Sequence, residues 1–469
     1  MVKNLDDEII RYKYYILILL RILWFGVSKN PLTTFRLLRR FSWLPVTLVK
    51  FSNLYFNLCG NRHGDYLKAM AITLNEFAAG LLDYFGNTLY HPEKVILVEE
   101  IVSTEIFLAM GLRPFALELP SLVLPLLDPV SLSKYIDKSE NYGIPSDICS
   151  LLKSSMGMVL EKEMIDGQAV ITTNSPCDNH LTSYTLMEAE IRRPFYRLDV
   201  PFHFTTKRAS DYFVTELEEM ITWLESHTTG RMDWDKLKEI CETRNQWVEL
   251  QMEYFETIRV KPAPMAGEAV FLPYWLASIL HPGSRKNIEM FKTLLGLSKQ
   301  NMANHIAAVP NEKFRVLIWN MPIFHFLDVF GWAENTWGVA AIAESLSHNQ
   351  IPLIDTTSKE SMLRGIGNLI LFAPMARHSR GPAENYLNDL FFAHHAYKAD
   401  MIWVGANVGC KKTMALSGMV REKCREKGIP ILYLNMEVVD PRSVNHDMIK
   451  EQIDHFMENT MKAQRTIAP

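Results

Sequence analysis

The pattern of apolar and polar positions changes character near residue 90. Residues 1–90 show no convincing strand and predict helices, punctuated by Pro31, Pro45 and Gly60. From Lys94 onward, short apolar runs feed helices. KVILVEE (94–100) predicts a strand ending in acids, residues 104–110 a helix stopped by Gly111, and RPFALEL (113–119) a second extended run. Strand, helix and strand at this spacing mark a parallel α/β unit, because parallel neighbours need a crossover connection. The pattern recurs with a helix over Ile148–Leu160, a strand over 168–173, a helix over Leu181–Arg192 and a strand over 195–201.

Residues 208–261 predict two long helices, with Gly230 a stop for the first and Asp233 a cap for the second. The turn-formers of KPAPMAGEAVFLP (261–273) break that pattern, and helical material resumes to about residue 308. A second α/β series follows. It predicts a strand over 314–320, a helix over Gly331–Asn349, an extended run over 351–355 and a helix over Pro382–Tyr397. A strand over 400–405, a helix over 413–427, a strand over 429–435 and an amphipathic helix complete it. The expected organisation is a helical extension (1–90), an α/β domain with a helical appendage (91–265), a helical connector (266–310) and a second α/β domain (311–469).

The 469 residues are 48% hydrophobic and 22% charged, which is globular and not disordered. A formal charge of −4 argues against a nucleic-acid-coating protein. Six cysteines with no CxxC support neither a disulfide scaffold nor a zinc ribbon. The apolar run Tyr14–Val27 contains Arg21 and falls short of the ~20 residues a membrane span needs. Asp6, Asp7 and Glu8 precede it and no small-residue cleavage site follows, unlike a secretory leader. Arg36, Arg39, Arg40 and Lys50 would suit a membrane-surface helix within residues 10–56. Docking on its own protein or a partner subunit is the stronger reading, and a soluble cytoplasmic protein is expected.

Parallel sheets present functional groups at the carboxyl ends of strands. Cys177 follows the strand QAVITT, Cys410 follows DMIWVG, and Cys149 opens a helix after the turn YGIPSD. Backbone N–H groups at a helix start favour a thiolate at each. Cys59, Cys241 and Cys424 lie inside helical segments and read as small buried hydrophobes. Three loop-placed thiolates are a set that can hold an iron–sulfur cluster with one iron open. A rival reading takes GANVGCKKT (405–413) as a phosphate-cradling loop, but Cys410 replaces the glycine that must precede lysine. Cys177 and His180 are half of a zinc site at most, with a loop histidine the plainer reading. Glu99, Glu100 and Glu105 fit a proton-handling group or, more simply, a solvated turn and helix cap. Arg377 and Arg380 fit a solvated loop.

In order and spacing, these segments resemble the large iron–sulfur subunits of the 2-hydroxyacyl-CoA dehydratase and benzoyl-CoA reductase family. The resemblance runs over about residues 95–460 and rests on EEIVSTEIFLAMGLRPFAL, IPSDICSLLKSSMG, TTNSPCD, GRMDWDKLKEICETRN with KPAPMAGE, and the segment from ADMIWVGANVGC to DPR. It implies two flavodoxin- or Rossmann-like parallel-sheet domains, with Cys149, Cys177 and Cys410 each giving a thiolate to one [4Fe–4S] cluster between them. It also implies a related second iron–sulfur subunit, an ATP-dependent activator that delivers single electrons, and an acyl-CoA substrate. Dehydration of a 2-hydroxyacyl-CoA through a ketyl radical is the leading expectation, with ring reduction of an aromatic acyl-CoA the alternative. A non-catalytic electron-relay subunit is a third reading, from another class. Glu105 and Ser150 are the candidate catalytic residues, Glu105 for moving protons and Ser150 as a neighbour of the cluster. The first 90 residues have no counterpart in the family pattern.

Overall fold

The computed structural model describes residues 5–28, 36, 39–40, 43–280, 282–320, 326–347 and 352–466. The short apolar runs become two four-stranded sheets whose neighbouring strands all run parallel. The first holds β1 (Val95–Val98), β2 (Arg113–Ala116), β3 (Val170–Thr173) and β4 (Phe195–Leu198) in the order β2-β1-β3-β4. The second holds β5 (Phe314–Trp319), β6 (Val339–Glu344), β7 (Met401–Asn407) and β8 (Ile431–Met436) in the order β6-β5-β7-β8. Both are the same winding, the first four strands of the flavodoxin-like order. The two parallel-sheet halves expected from the sequence are therefore present. Each of the seven strands read correctly begins within two residues of its expected start.

The physical cause is burial. β1, β3, β6 and β7 are buried at every position, as strands covered on both faces by crossover helices must be. In each sheet the chain steps one way from the first strand and later returns on its other side. That reversal opens a crevice at the carboxyl ends of β1 and β3, and likewise of β5 and β7.

Two expectations fail. Gly331–Asn349 is not one helix: Asp328–Trp337 is helical, Gly338 at φ +65° ends it, and Val339–Glu344 is β6. A Cβ on Gly338 would also lie 2.2 Å from the Asn311 carbonyl oxygen, so only glycine fits this stop. The extended run at 351–355 joins no sheet over its described residues, 352–355. There Ile354 instead pairs both backbone groups with the Asn245 side-chain amide, at 2.8 and 2.9 Å.

The N-terminal helices are Leu5–Ser28, Trp43–Cys59 and Gly64–Tyr90. Residues 29–35, 37–38 and 41–42 of the basic segment lie outside the described residues. Arg62 joins this layer to the rest of the fold. Its guanidinium pairs with Glu268, at the start of helix Glu268–Trp275, and lies 3.2 Å from Glu334 in helix Asp328–Trp337. The Tyr66 hydroxyl donates to the same Glu334 oxygen at 2.6 Å. All four side chains are buried, and two carboxylates against one guanidinium push the Glu268 carboxyl up through desolvation first. Gly267, at φ +56°, passes so close that a Cβ would sit 2.8 Å from the Tyr66 hydroxyl.

Candidate functional site

Cys149, Cys177 and Cys410 each cap the amino end of a helix: Ser150–Leu160, Asp178–Ile191 and Lys411–Glu426. All three are half-buried, whereas Cys59, Cys241 and Cys424 are fully buried. Segments from both sheets meet at Gly409. A Cβ there would lie 2.7 Å from Cys149 Cα and 2.8 Å from Cys149 N, so the loop before Cys410 is packed backbone to backbone on Cys149. The Gly409 carbonyl accepts from Asn179 Nδ2 at 2.7 Å, which brings in the helix capped by Cys177. Glu437, just beyond β8, accepts from the backbone N–H of both Gly409 and Ser150. The three cysteine segments thus share one stitched junction. Ser150 belongs to it, fully buried, with its hydroxyl accepting from Val439 N at 3.1 Å.

Thr413 donates its hydroxyl to Cys410 Sγ at 3.1 Å, and Cys177 Sγ lies 3.2 Å from His180 Nδ1. Desolvation pushes the Cys149 thiol well up, and negative charge at Cys410, Glu437 and Cys177 adds to it. Burial also raises Cys177, against N–H donors from His180 and Asn179. Lys412 is half-buried beside Cys410 and Cys177, and desolvation pulls its ammonium down. Three thiols that repel one another as thiolates become stable anions when a cationic centre binds among them. Among the described residues, no group of three or more His, Cys, Asp or Glu side chains could hold a single metal ion.

Beside the cysteines, three acids stand at the carboxyl ends of β1 and β2. Buried Glu99 accepts from Thr173 N at 2.7 Å and buried Glu118 accepts from Glu100 N at 3.1 Å. Burial pushes both carboxyls well above the usual range, and it raises Glu100 as well. His180, which interacts electrostatically with Glu100, is pushed down to about 4 by burial. It is therefore a buried neutral histidine in the first turn of its helix, and the plainer reading as a loop histidine fails.

Glu105 stands elsewhere, at the start of helix Glu105–Ala109. It pairs with Arg244 at 3.1 Å, accepts from the Ser103 hydroxyl, and lines a cavity of about 180 Å³ with Glu100, Tyr274 and Trp275. None of the three cysteines lines this cavity. Glu100 spans the gap, lining the cavity and facing His180, which touches Cys177. The phosphate-loop reading of residues 405–413 fails, because β7 runs to Asn407 and leaves too short a turn to wrap a phosphate. Arg377 and Arg380 are not in a solvated loop. They sit in helix Pro374–Arg380, Arg377 pairing with Asp389 at 2.8 Å and Arg380 donating to the Val200 carbonyl.

The sequence model for 2-hydroxyglutaryl-CoA dehydratase, D-component, matches residues 101–460. The chain belongs to this family. One subunit of the benzoyl-CoA reductase of Thauera aromatica is 20% identical over 342 residues, covering 68% of this chain and 78% of that protein. The alpha subunit of the lactoyl-CoA dehydratase of Anaerotignum propionicum is 30% identical over 105 residues, 22% of this chain and 25% of that one. All three junction cysteines, Glu105 and the cavity wall formed by Arg244, Tyr274 and Trp275 lie inside the D-component match, whereas the helices of residues 5–90 precede it. The resemblance read from the cysteine segments is thus borne out, over nearly the span expected. Among the described residues, no helix is long and apolar enough to cross a membrane.

Glu118, Asn179, Arg244, Lys412 and Glu437 escaped sequence reasoning. Glu118 carried a signal, since it follows an apolar strand just as Glu99 does. Arg244 and Glu437 carried none, because what recruits them is a partner far away in the chain.

Proposed function

We propose that Cys149, Cys177 and Cys410 hold one [4Fe–4S] cluster, and that the chain is the iron–sulfur subunit of a 2-hydroxyacyl-CoA dehydratase. The observation that carries this reading is the junction at Gly409, which packs the loop before Cys410 on Cys149 and bonds it to the helix capped by Cys177. A cluster takes one thiolate per iron, so its ligands surround a volume where those of a single ion converge on a point. The donor set suits that demand: three half-buried thiols, each at the positive end of a helix, with Lys412 adding a cation. When bound, such a cluster supplies single low-potential electrons to an acyl-CoA carbonyl.

The protein's own groups do the rest. Ser150 is a positioning residue in this proposal: its hydroxyl is engaged by Val439, and its N–H helps hold Glu437 across the junction. Glu105 lines the cavity beside Arg244, placed to take a proton from a substrate carbon or return one to a leaving hydroxyl. Burial raises the Glu99 and Glu118 carboxyls, which disfavours further negative charge beside the thiols. Ring reduction of an aromatic acyl-CoA is the second reading, favoured by the length over which the benzoyl-CoA reductase chain is similar. A related second subunit and an ATP-dependent activator complete the proposal.

Anaerobic iron and sulfide quantification with EPR of the dithionite-reduced protein tests the cluster. We expect about four irons per chain, lost in Cys149→Ser, Cys177→Ser and Cys410→Ser and retained in Cys424→Ser, whose thiol is buried. An iron-free protein with all four variants alike would refute it. Product analysis with a 2-hydroxyacyl-CoA and with benzoyl-CoA separates the two reactions.

A further inference from the structure

Helix Leu5–Ser28 packs one face on the fold and carries a second apolar face on the outside. Its inner face buries Ile18 and packs Ile10, Tyr14, Tyr15 and Ile22 on the core, and near its start Asp7 and Arg11 are buried as well, Asp7 accepting from Gly64 N at 2.9 Å and Arg11 donating to the carbonyls of Cys59 and Arg62 at 3.2 and 2.8 Å. Its outer face is apolar. Leu5, Ile9, Tyr12, Ile16, Leu19 and Leu23 are 39% to 73% exposed. Their spacing alternates four and three residues over nearly three heptads, which is the seam of a coiled coil. With Leu20 they form a stripe about 100° wide that no charge interrupts. A monomer rarely leaves so continuous a patch to water.

We infer that two copies of this chain pair in parallel through this helix. Charge favours a second copy in that orientation. Glu8, which also pairs with Arg11 of its own helix at 2.8 Å, flanks one edge of the stripe and Lys13 the other, five residues apart. In a parallel pair each Glu8 meets Lys13 of the second copy, whereas an antiparallel pair brings the two Lys13 side chains near each other. Area agrees: seven side chains so exposed offer on the order of 700 Å² per copy, and the pair falls within the ~1,200–2,000 Å² of standard specific interfaces. A bilayer is the poorer occupant. The helix opens with Asp6, Asp7 and Glu8, and one edge of the stripe carries Glu8 where an interfacial helix carries cations on both.

Sedimentation velocity on the full chain at micromolar concentration is the test. We expect twice the 54.0 kDa chain mass, falling to a single chain in Ile16→Glu/Leu23→Glu. Leu17→Glu, exposed but off the stripe, should remain paired. Lys13→Glu should loosen the pair at least tenfold at low salt, and Glu8→Lys with Lys13→Glu should recover it. Unchanged helicity and thermal midpoint in the variants keep misfolding out of the comparison. A single-chain wild type overturns the inference, as does a pair that survives the double glutamate variant. Binding of a single-chain wild type to phosphatidylcholine–phosphatidylserine vesicles, abolished by that variant, would assign the stripe to membrane and overturn it as well. Iron content is not part of this readout, so the pairing stands or falls separately from the proposed cluster.

Discussion

Gly409→Ala should open the junction that gathers the cysteines. The added methyl would lie 2.7 Å from Cys149 Cα, 2.8 Å from its N and 2.9 Å from the carbonyl carbon of Ile148. All three are backbone atoms, so no side chain can swing away. Ordinary carbon contacts sit at about 3.5–4.0 Å, and the two loops must separate by roughly 1 Å. That shift also stretches the bond from Asn179 to the Gly409 carbonyl and the bond from Gly409 N to Glu437. Overpacking of this kind costs about 1–3 kcal/mol. The larger effect is expected in cofactor retention, since the displacement falls on the segments that carry Cys149 and Cys410. The assay is iron per chain after anaerobic gel filtration, beside a thermal midpoint. Gly418→Ala is the control: it lies in the helix capped by Cys410, nothing comes within 4 Å of its added methyl, and it should be neutral or slightly stabilising. A Gly409→Ala protein with the iron content and midpoint of wild type would refute the close approach on which the junction rests.

Burial holds the Glu344 carboxyl up to about 7 from an ordinary 4.5. A raised acid stabilises fully below its unfolded value and loses that contribution as pH rises through its folded one. Denaturant titrations from pH 5 to 8 should show wild type losing about 3 kcal/mol from this group, and Glu344→Gln should lose correspondingly less; identical slopes would remove Glu344 from the account. Arg62→Met leaves Glu268 and Glu334 buried without their cation and should cost about 3–5 kcal/mol in urea unfolding. Pairing it with Glu268→Gln should recover part of the loss. Glu105→Gln should keep its iron yet lower kcat/KM on the accepted acyl-CoA by about a hundredfold or more. An unchanged rate would confine Glu105 to its ion pair with Arg244.

The strands were legible because burial on both faces writes itself as short apolar runs, and VILV, VITT and MIWVG are such runs. β6 was not, because WGVAAIAE is rich in alanine, the best helix former. Tertiary packing overrode that propensity: β6 is an edge strand buried along its whole length between helices Glu268–Trp275 and Asp328–Trp337, where small side chains let the layers approach. The Trp–Gly pair at 337–338 was the available clue, since glycine just past a helix is its commonest stop. At 352–355 the pattern was extended, yet one asparagine side chain supplies the pairing a neighbouring strand would otherwise give.

The site divides along a similar line. A cysteine at a helix start is a local feature, and the chain shows three. What gathers their segments is not local: Gly409 against Cys149 spans 260 residues, Asn179 to Gly409 spans 230, and Glu437 to Ser150 spans 287. Glycine in GANVGC reads locally as flexibility for a turn, and the structure gives it another use, as the only residue narrow enough to let two backbones touch. The same reasoning separates the two candidate catalytic residues. Ser150 sits where the halves are sewn together and has its hydroxyl occupied. Glu105 lines the cavity and pairs with an arginine far along the chain. A residue spent on assembly responds to mutation through cofactor retention, and one spent on chemistry responds through rate. Iron content and turnover measured on the same preparations should therefore part company: Ser150→Ala should lose iron, and Glu105→Gln should keep its iron and lose rate.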